Sequence, residues 1–397
     1  MEHKVNKQAI GSVLVFTALT AAILVKFVKT APFLYVGLLA FLSCLFLSFS
    51  FNRSRFWKAF FYLLGIAMLV GGATEAYFTW FGASLIRKDE IQSREWSLRG
   101  GDYYVADATR GYAAGPDARK RIKKSLGDKV IYDVVYTTNS QGLRVAPRDA
   151  KVTHEVQSES FQNVVFFGDS FIFGEGLNDE EAIPYLFEEL SGGQCRTYNF
   201  GFHGYGAQQM LRIIETGLLE KIVSNQQPLV VVYGALLQHI ERASGRMIWD
   251  AKVPRYTLSP SGTAEFVGTF ADDPNLEENL KRSKSLSDPR AQLIAGLTGP
   301  TRTQEDIKLF VQMVLQSRDL LARKHQARFS VLLWPLGDKD TSAVVKELVK
   351  AGIEVISTDQ IFKEYPEPPE KYRIEMDNHP TRLAAERIAK YLYQHIR

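Results

Sequence analysis

Short apolar runs alternate with helix-length amphipathic stretches through the C-terminal part of this 397-residue chain. The runs are rich in β-branched and aromatic residues, which favour strands, and the predicted strands are 163–168, 197–201, 228–234, 329–336 and 353–358. The predicted helices are 181–190, 207–222, 304–324, 342–351 and 381–396. Because near-continuous apolar strands that alternate with helices indicate a parallel sheet covered on both faces, the predicted fold class is α/β, a flavodoxin-like three-layer sandwich.

The N-terminal region differs in composition, because its apolar residues form three long segments. These segments are 9–28, 31–51 and 59–81. Each has the ~20 residues that a helix needs to cross a bilayer. We therefore expect three transmembrane helices within a first domain, 1–86. A cleaved signal peptide is the alternative for the first segment, and a buried core helix is the alternative for the third.

Basic residues predict how these helices are oriented. They concentrate before the first segment and between the second and third, as Lys4, Lys7, Arg53, Arg55 and Lys58. The other short loop is flanked by Lys26 and Lys29. Because the more basic side is normally cytoplasmic, we expect an integral membrane protein with a cytoplasmic N-terminus. An odd number of spans then puts the rest of the chain on the periplasmic or extracytoplasmic side.

A serine follows the first predicted strand in the stretch FFGDSFIFGEGLNDEE, residues 166–181. Ligands of open α/β sheets bind outside the carboxyl ends of the strands, which is where Ser170 lies. Gly168 permits a tight exit from the strand, and Asp169 can bond neighbouring backbone amides. The backbone N–H of Ser170 can point at developing negative charge, so this position suits a nucleophile.

Three sequence blocks resemble those of the SGNH, or GDSL, hydrolases, and the resemblance covers about residues 162–397. The blocks are GDSFIFGEGLNDEEAIP, NFGFHGYGAQQ (199–209) and DNHP (377–380). The resemblance is to membrane-anchored bacterial members, and it implies an SGNH catalytic domain at 161–397 with Ser170 as nucleophile. It also implies that Gly204 and Ser170 donate backbone N–H groups to an oxyanion hole.

The resemblance implies that the last block supplies the acid and the base. Activation of a serine hydroxyl requires the same two residue types. A serine hydroxyl is a weak nucleophile until a base takes its proton, and that base needs an acceptor on its other ring nitrogen. His379 and Asp377 are the predicted base and acid, although a lone histidine there could simply precede the last helix. We expect His203 and His239 to line the pocket without acting as the base.

Two departures from the family pattern concern the acid and the third oxyanion donor. Met376 occupies the more familiar position of the acid, and Asp377 lies one residue closer to the base. No asparagine follows the third strand in YGALLQHIER, where the family usually has the third donor. Gln238 carries an amide that can substitute, and losing one such donor typically costs ~100- to 1,000-fold in rate.

Two more regions complete the predicted organisation. A β-containing connector is expected at 87–160, with a strand and turn at 130–144. Its basic cluster, 119–124, is expected to be a solvated loop or a lipid-headgroup contact. An insertion at 243–303 contains a predicted hairpin, and we expect a lid or substrate wall there, with surface decoration as the alternative.

These features predict a membrane-anchored serine esterase that acts on acylated envelope glycan, peptidoglycan or lipid without a metal or cofactor. The formal net charge of +4 comes without a long basic run, so nucleic acid is not an expected partner. One alternative is an acyltransferase that uses the same acyl-serine to transfer O-acetyl groups to envelope polysaccharide, with a membrane acyl-donor partner. The other is a non-catalytic envelope assembly factor, which the missing asparagine favours.

Overall fold

The computed structural model describes residues 42, 55–77, 91–146, 161–223, 229–248, 250–277, 302–335 and 340–396. Two compact units divide the chain, Met1–Asp89 and Glu90–Arg397. In the first unit, helix α1 (Arg55–Tyr77) overlaps the third predicted membrane segment. The first two predicted segments lie outside the described residues, apart from Leu42. Among the residues described, no helix has both the length and the apolar character needed to cross a membrane.

Antiparallel strands build the beginning of the second unit. They are β1 (Ile91–Arg99), β2 (Tyr104–Asp107), β3 (Gly111–Ala114), β4 (Arg119–Leu126) and β5 (Lys129–Thr137). Strands β1, β4 and β5 form one sheet in that order, and β2 pairs with β3. The predicted loop at 119–124 is wrong, because these residues lie in β4 and pair with β5 along its length. The turn predicted after β5 is present, where the Gly142 N–H donates to the Asn139 carbonyl at 2.9 Å.

A parallel sheet forms the centre of the second unit and confirms that part of the predicted fold class. The remaining described strands are β6 (Gln162–Phe167), β7 (Cys195–Asn199), β8 (Leu229–Leu236), β9 (Pro254–Leu258), β10 (Ala264–Thr269), β11 (Arg328–Trp334) and β12 (Glu354–Ser357). The sheet order is β12-β11-β8-β6-β7, and every neighbouring pair is parallel. Counted along the chain, this is the 2-1-3-4-5 order of flavodoxin-like folds, and its switch point lies between β6 and β8.

Helices cover both faces of this sheet. They are α2 (Ser170–Phe173), α3 (Ile183–Leu190), α4 (Ala207–Glu215), α5 (Leu218–Ile222), α6 (Gln238–Ala243), α7 (Gln304–His325), α8 (Thr341–Lys350), α9 (Thr358–Glu364) and α10 (Arg382–His395). One core packs Met210 of α4 and Phe310 of α7 against the sheet, and the other packs Phe187 of α3 and Ile388 of α10. The single helix predicted at 207–222 is wrong, since Gly217 has a φ of 71° and separates α4 from α5.

The insertion after the third sheet strand contains the predicted hairpin of β9 and β10. The Gly262 N–H donates to the Ser259 carbonyl at 2.9 Å and closes the turn. The Tyr256 hydroxyl donates to Glu215 at 2.6 Å, so the hairpin is fastened to α4. Residues 278–301 of the insertion lie outside the described chain.

Candidate active site

Ser170 is the first residue of α2, directly past the carboxyl end of β6. Gly168 precedes it with a φ of 155°, and a Cβ there would lie 2.5 Å from Ile172 and 3.0 Å from the Gly234 carbonyl. Only a glycine therefore fits at the end of β6, where the backbone passes close to β8. Asp169 caps α2 by accepting from the Phe171 N–H at 3.0 Å. These constraints hold Ser170 at the switch point of the sheet.

The loop before α10 brings Asp377 and His379 to this serine. His379 Nε2 lies 2.8 Å from Ser170 Oγ, and His379 Nδ1 is hydrogen-bonded to Asp377 Oδ1. Because a carboxylate can only accept, Nδ1 carries the proton and Nε2 is able to accept from the serine hydroxyl. The structure thus connects the three predicted residues in the order that proton transfer from serine requires.

A tight turn explains why the acid lies one residue closer to the base than in the familiar pattern. Met376 and Asn378 both have positive φ angles, 65° and 71°, which residues other than glycine seldom adopt. The N–H groups of Asp377 and Asn378 both donate to the Ile374 carbonyl, at 3.1 and 2.9 Å. This turn leaves Met376 48% exposed, whereas the Asp377 side chain is 1% exposed. The side chain that faces the imidazole is therefore that of Asp377.

Lys124 of β4 also contacts the acid. Its Nζ donates to Asp377 Oδ2 at 2.5 Å. Burial raises the pKa of Asp377, but hydrogen bonds from His379 and Lys124 and their positive charges outweigh it, so the pKa lies below its usual range. Lys124 belongs to the cluster that the sequence assigned to a loop or to lipid, so its place beside the acid was missed.

A second carboxylate lies on the serine side of the base. Glu175 Oε2 is 3.4 Å from His379 Nε2 and 2.7 Å from His203 Nδ1. His203 lines the cleft, as expected, and its Nε2 lies 3.0 Å from the Tyr103 hydroxyl. Sequence reasoning missed Glu175, although it belongs to the first motif block and is five residues past the serine.

The electrostatic balance around His379 favours its charged form. Burial of the imidazole lowers its pKa, but the hydrogen bond to Asp377 and the negative charges of Glu175, Asp377 and Asp169 outweigh that effect. The pKa of His379 is therefore raised above its ordinary value. An imidazolium that forms here on proton transfer lies among carboxylates.

Asp169 belongs to a separate buried cluster under the nucleophile. Its Oδ2 accepts from Arg242 at 2.8 Å and lies 3.2 Å from His239 Nε2. Burial raises the pKa of Asp169, yet the Arg242 charge and the contact with His239 hold it well below its usual range. His239 was expected to line the pocket, but it is fully buried and its Nδ1 shares a hydrogen bond with Tyr233 instead. This cluster anchors the turn that carries Ser170.

The three predicted oxyanion residues line the same cleft as the base. Ser170, Gly204 and Gln238 all border it. Gly204 has a φ of 72° in the loop after β7, and Gln238 is the first residue of α6. The Gln238 Oε1 atom is buried and has no hydrogen-bond partner in the described part of the chain. The structure therefore brings the candidate donors to the cleft that contains the Ser170 side chain.

The cleft itself is open and has a volume of about 1130 Å³. Tyrosines of the connector line it and form a tyrosine wall, namely Tyr103, Tyr104, Tyr112, Tyr132 and Tyr136. Asp250 and Lys252 of the insertion also line it. Sequence reasoning missed the tyrosine wall, although residues 132 and 136 have the even spacing that places side chains on one strand face.

The same residues are the ones that could approach a metal ion. Among the described residues, ligand atoms of Glu175, Asp377 and His379 lie within 4.8 Å of one another. Each of these side chains already has a hydrogen-bonding or ionic partner in Lys124, His203 or Ser170. These contacts explain the grouping of the three side chains as a proton-transfer network.

No model of a known protein family matches the chain, and no curated protein matches it. Among solved structures, a member of the lipolytic G-D-S-L family from Veillonella parvula is similar, with 12% identity and a TM-score of 0.34 over 59% of this chain and 97% of that chain. A lipase from a goat rumen metagenome has 17% identity and a TM-score of 0.33 over 59% and 97%. An esterase from a Pseudoalteromonas species has 13% identity and a TM-score of 0.31 over 59% and 96%. Because these values are low, function is inferred from the geometry of the site.

Proposed function

We propose that this chain is a serine hydrolase of the SGNH, or GDSL, type that cleaves ester bonds. The observation that carries the proposal is the hydrogen-bonded series from Ser170 through His379 to Asp377 at the edge of an open cleft. Such a series gives a serine its nucleophilicity on unrelated folds, so geometry defines it better than overall likeness does.

The reaction proceeds through an acyl-serine. Ser170 Oγ attacks the ester carbonyl as its proton moves to His379 Nε2, and the backbone N–H groups of Ser170 and Gly204 stabilise the oxyanion, with Gln238 as third donor. His379 then gives the proton to the departing alcohol oxygen. Water then attacks the acyl carbonyl as it loses a proton to the same nitrogen. The bond from the acyl carbon to Ser170 Oγ breaks, His379 returns that proton to Oγ, and the acid leaves. These steps use side chains and backbone groups of the chain alone.

The cleft favours a polar alcohol portion of the substrate. Tyrosine rings interleave with charged groups such as Arg94, Lys252 and Arg373 along its walls, which suits the mixed apolar and hydroxyl surface of a sugar. An acylated envelope glycan is therefore our proposed substrate class, ahead of a lipid.

A smaller pocket suits the acyl portion. It has a volume of about 490 Å³, and its apolar lining includes Phe171, Trp334, Phe362 and Tyr372. Phe171 lines both cavities, and its ring lies 5.1 Å from that of His379. Each buried methylene contributes about 0.8 kcal/mol to binding, so kcat/KM should rise from acetate esters to esters of longer acyl chains until the pocket is filled.

The test is turnover of a panel of p-nitrophenyl esters from acetate to octanoate by the full chain, beside its Ser170→Ala variant. Turnover that Ser170→Ala abolishes supports the proposal. An acyltransferase is the second candidate, because a cleft of about 1130 Å³ has room for a sugar acceptor. Partition of the acyl group between water and an added oligosaccharide separates the two. A chain that turns over no ester and forms no acyl-serine is the non-catalytic assembly factor.

Attachment to a membrane is also part of the proposal, and the apolar composition of residues 9–81 supports it. The distribution of lysine and arginine favours a cytoplasmic N-terminus and an extracytoplasmic catalytic unit in a bacterial inner or cell membrane. A membrane acyl-donor partner would be needed for the transferase. Alkaline phosphatase fused after Arg397 should be active, and an inactive fusion beside an active cytoplasmic reporter at the same site would contradict the orientation.

A further inference from the structure

Glu175 lies beside the atom that moves the proton in the proposed reaction. Its Oε2 is 3.4 Å from His379 Nε2, the same nitrogen that faces Ser170 Oγ at 2.8 Å. Asp377 contacts the opposite ring nitrogen. Two carboxylates therefore flank one imidazole, one at each nitrogen.

The position of Glu175 is fixed from several directions. His203 Nδ1 donates to Oε2 at 2.7 Å, and the Tyr132 hydroxyl donates to Oε1 at 3.2 Å. The backbone N–H of Glu175 donates to the Ser170 carbonyl at 2.9 Å. Tyr103 holds His203 from its far side at 3.0 Å. Since the side chain is only 18% exposed, this carboxylate is part of the built site.

Within the described residues, three carboxylates act on the base, namely Asp377, Glu175 and Asp169. Lys124 contacts Asp377, and His203 contacts Glu175. Burial raises the pKa of Glu175, but the positive charges of His203, His379 and Lys124 hold it well below its usual range. Glu175 is therefore ionised wherever His379 titrates.

We propose that Glu175 is a second catalytic carboxylate, which stabilises the His379 imidazolium that forms when Ser170 loses its proton. The Oγ–H bond breaks and the Nε2–H bond forms, while Glu175 takes no proton at any step. The same attraction holds a proton on His379 of the free enzyme at low pH, where the base is then blocked. This inference rests on the proposed function, because it concerns the same proton transfer.

The test is the pH dependence of ester turnover by Glu175→Gln, which removes the charge and keeps the shape. Loss of a charge within hydrogen-bonding range typically moves a pKa by ~1 unit or more, so the acidic limb of kcat/KM should move to lower pH by about that amount. The plateau of kcat should fall by about 10-fold, because the transition state loses the same attraction. If Glu175 had only a structural role, the substitution would lower activity without moving the acidic limb of the kcat/KM profile.

Glu180→Gln is the matched control, since it removes the same charge from an exposed position that does not line the cleft. Its acidic limb should coincide with that of the unaltered protein. An unmoved limb in folded Glu175→Gln, or a full kcat, overturns the proposal. If Glu175→Gln fails to fold by circular dichroism, the profile of Glu175→Asp decides, because its shorter carboxylate retreats from Nε2 and should move the limb part of the way.

Failure of this proposal is distinguishable from failure of the proposed function. Without the function, the unaltered protein forms no acyl-serine at Ser170 and has no pH profile to shift. With the function but without the role of Glu175, the unaltered protein turns over ester and Glu175→Gln keeps its acidic limb.

Discussion

Lys124 and Asp377 are 253 positions apart in the sequence, and their side chains meet at 2.5 Å. The lysine comes from an antiparallel strand of the connector, and the aspartate is the proposed acid, which is hydrogen-bonded to His379. The connector is therefore part of the candidate site and also lines the cleft. A truncated protein that begins at the parallel sheet would lack a partner of its own acid.

We predict that Lys124→Met lowers kcat/KM by about 10- to 100-fold, because Asp377 loses the contact that fixes its second oxygen and small misplacements of catalytic groups are costly. Lys123→Met is the matched control, since successive strand residues face opposite sides and Lys123 pairs in register with Asp133. Steady-state kinetics on one ester checks both variants. Equal losses in the two variants, or no loss in Lys124→Met, would contradict the assignment.

The pH dependence of the unaltered protein follows from the raised pKa of His379. The base must be neutral to accept the serine proton, and the inactive charged form grows as pH falls through the raised pKa. The acidic limb of kcat/KM should therefore lie above the ordinary histidine pKa of 6.5. Initial rates across the neutral range measure it. A limb centred at or below that value would show that burial outweighs the flanking carboxylates.

Gln238 tests the third oxyanion donor. If its amide reaches the oxyanion, Gln238→Ala should lower kcat by ~100-fold or more with little change in KM, because the bond forms mainly in the transition state. Single-turnover kinetics measure the acylation step directly. Should the variant keep its full kcat, the hole has two donors, Ser170 and Gly204, and a slow hydrolase or a transferase becomes the better description.

The strands of the parallel sheet and the grouping of Ser170, Asp377 and His379 could be anticipated from the sequence because both depend on local patterns. Apolar strand runs identify the parallel sheet, and the motif blocks around Ser170 and His379 lie within short stretches of chain. The one-residue spacing between Asp377 and His379 is explained only by the structure, since the positive φ of Met376 decides which side chain faces inward.

The rest of the site depends on contacts between distant parts of the chain, which no local pattern reports. Lys124 belongs to a strand whose nearly continuous run of basic side chains is typical of a solvated segment. Glu175 acquires its role only when α2 and the loop carrying His203 come together. The connector strands were partly missed for a related reason, since β1 and β4 are polar and obtain their strand pairing from each other.

The measurement that tests the central claim most directly is covalent labelling of Ser170 by an alkyl fluorophosphonate, read by peptide mass spectrometry on the full chain. We predict a single adduct on the peptide that contains Ser170, formed quickly by the unaltered protein and at least ~1,000-fold more slowly by His379→Ala, because the hydroxyl then has no base. Labelling at another residue, or equal labelling rates in the two proteins, would contradict the account.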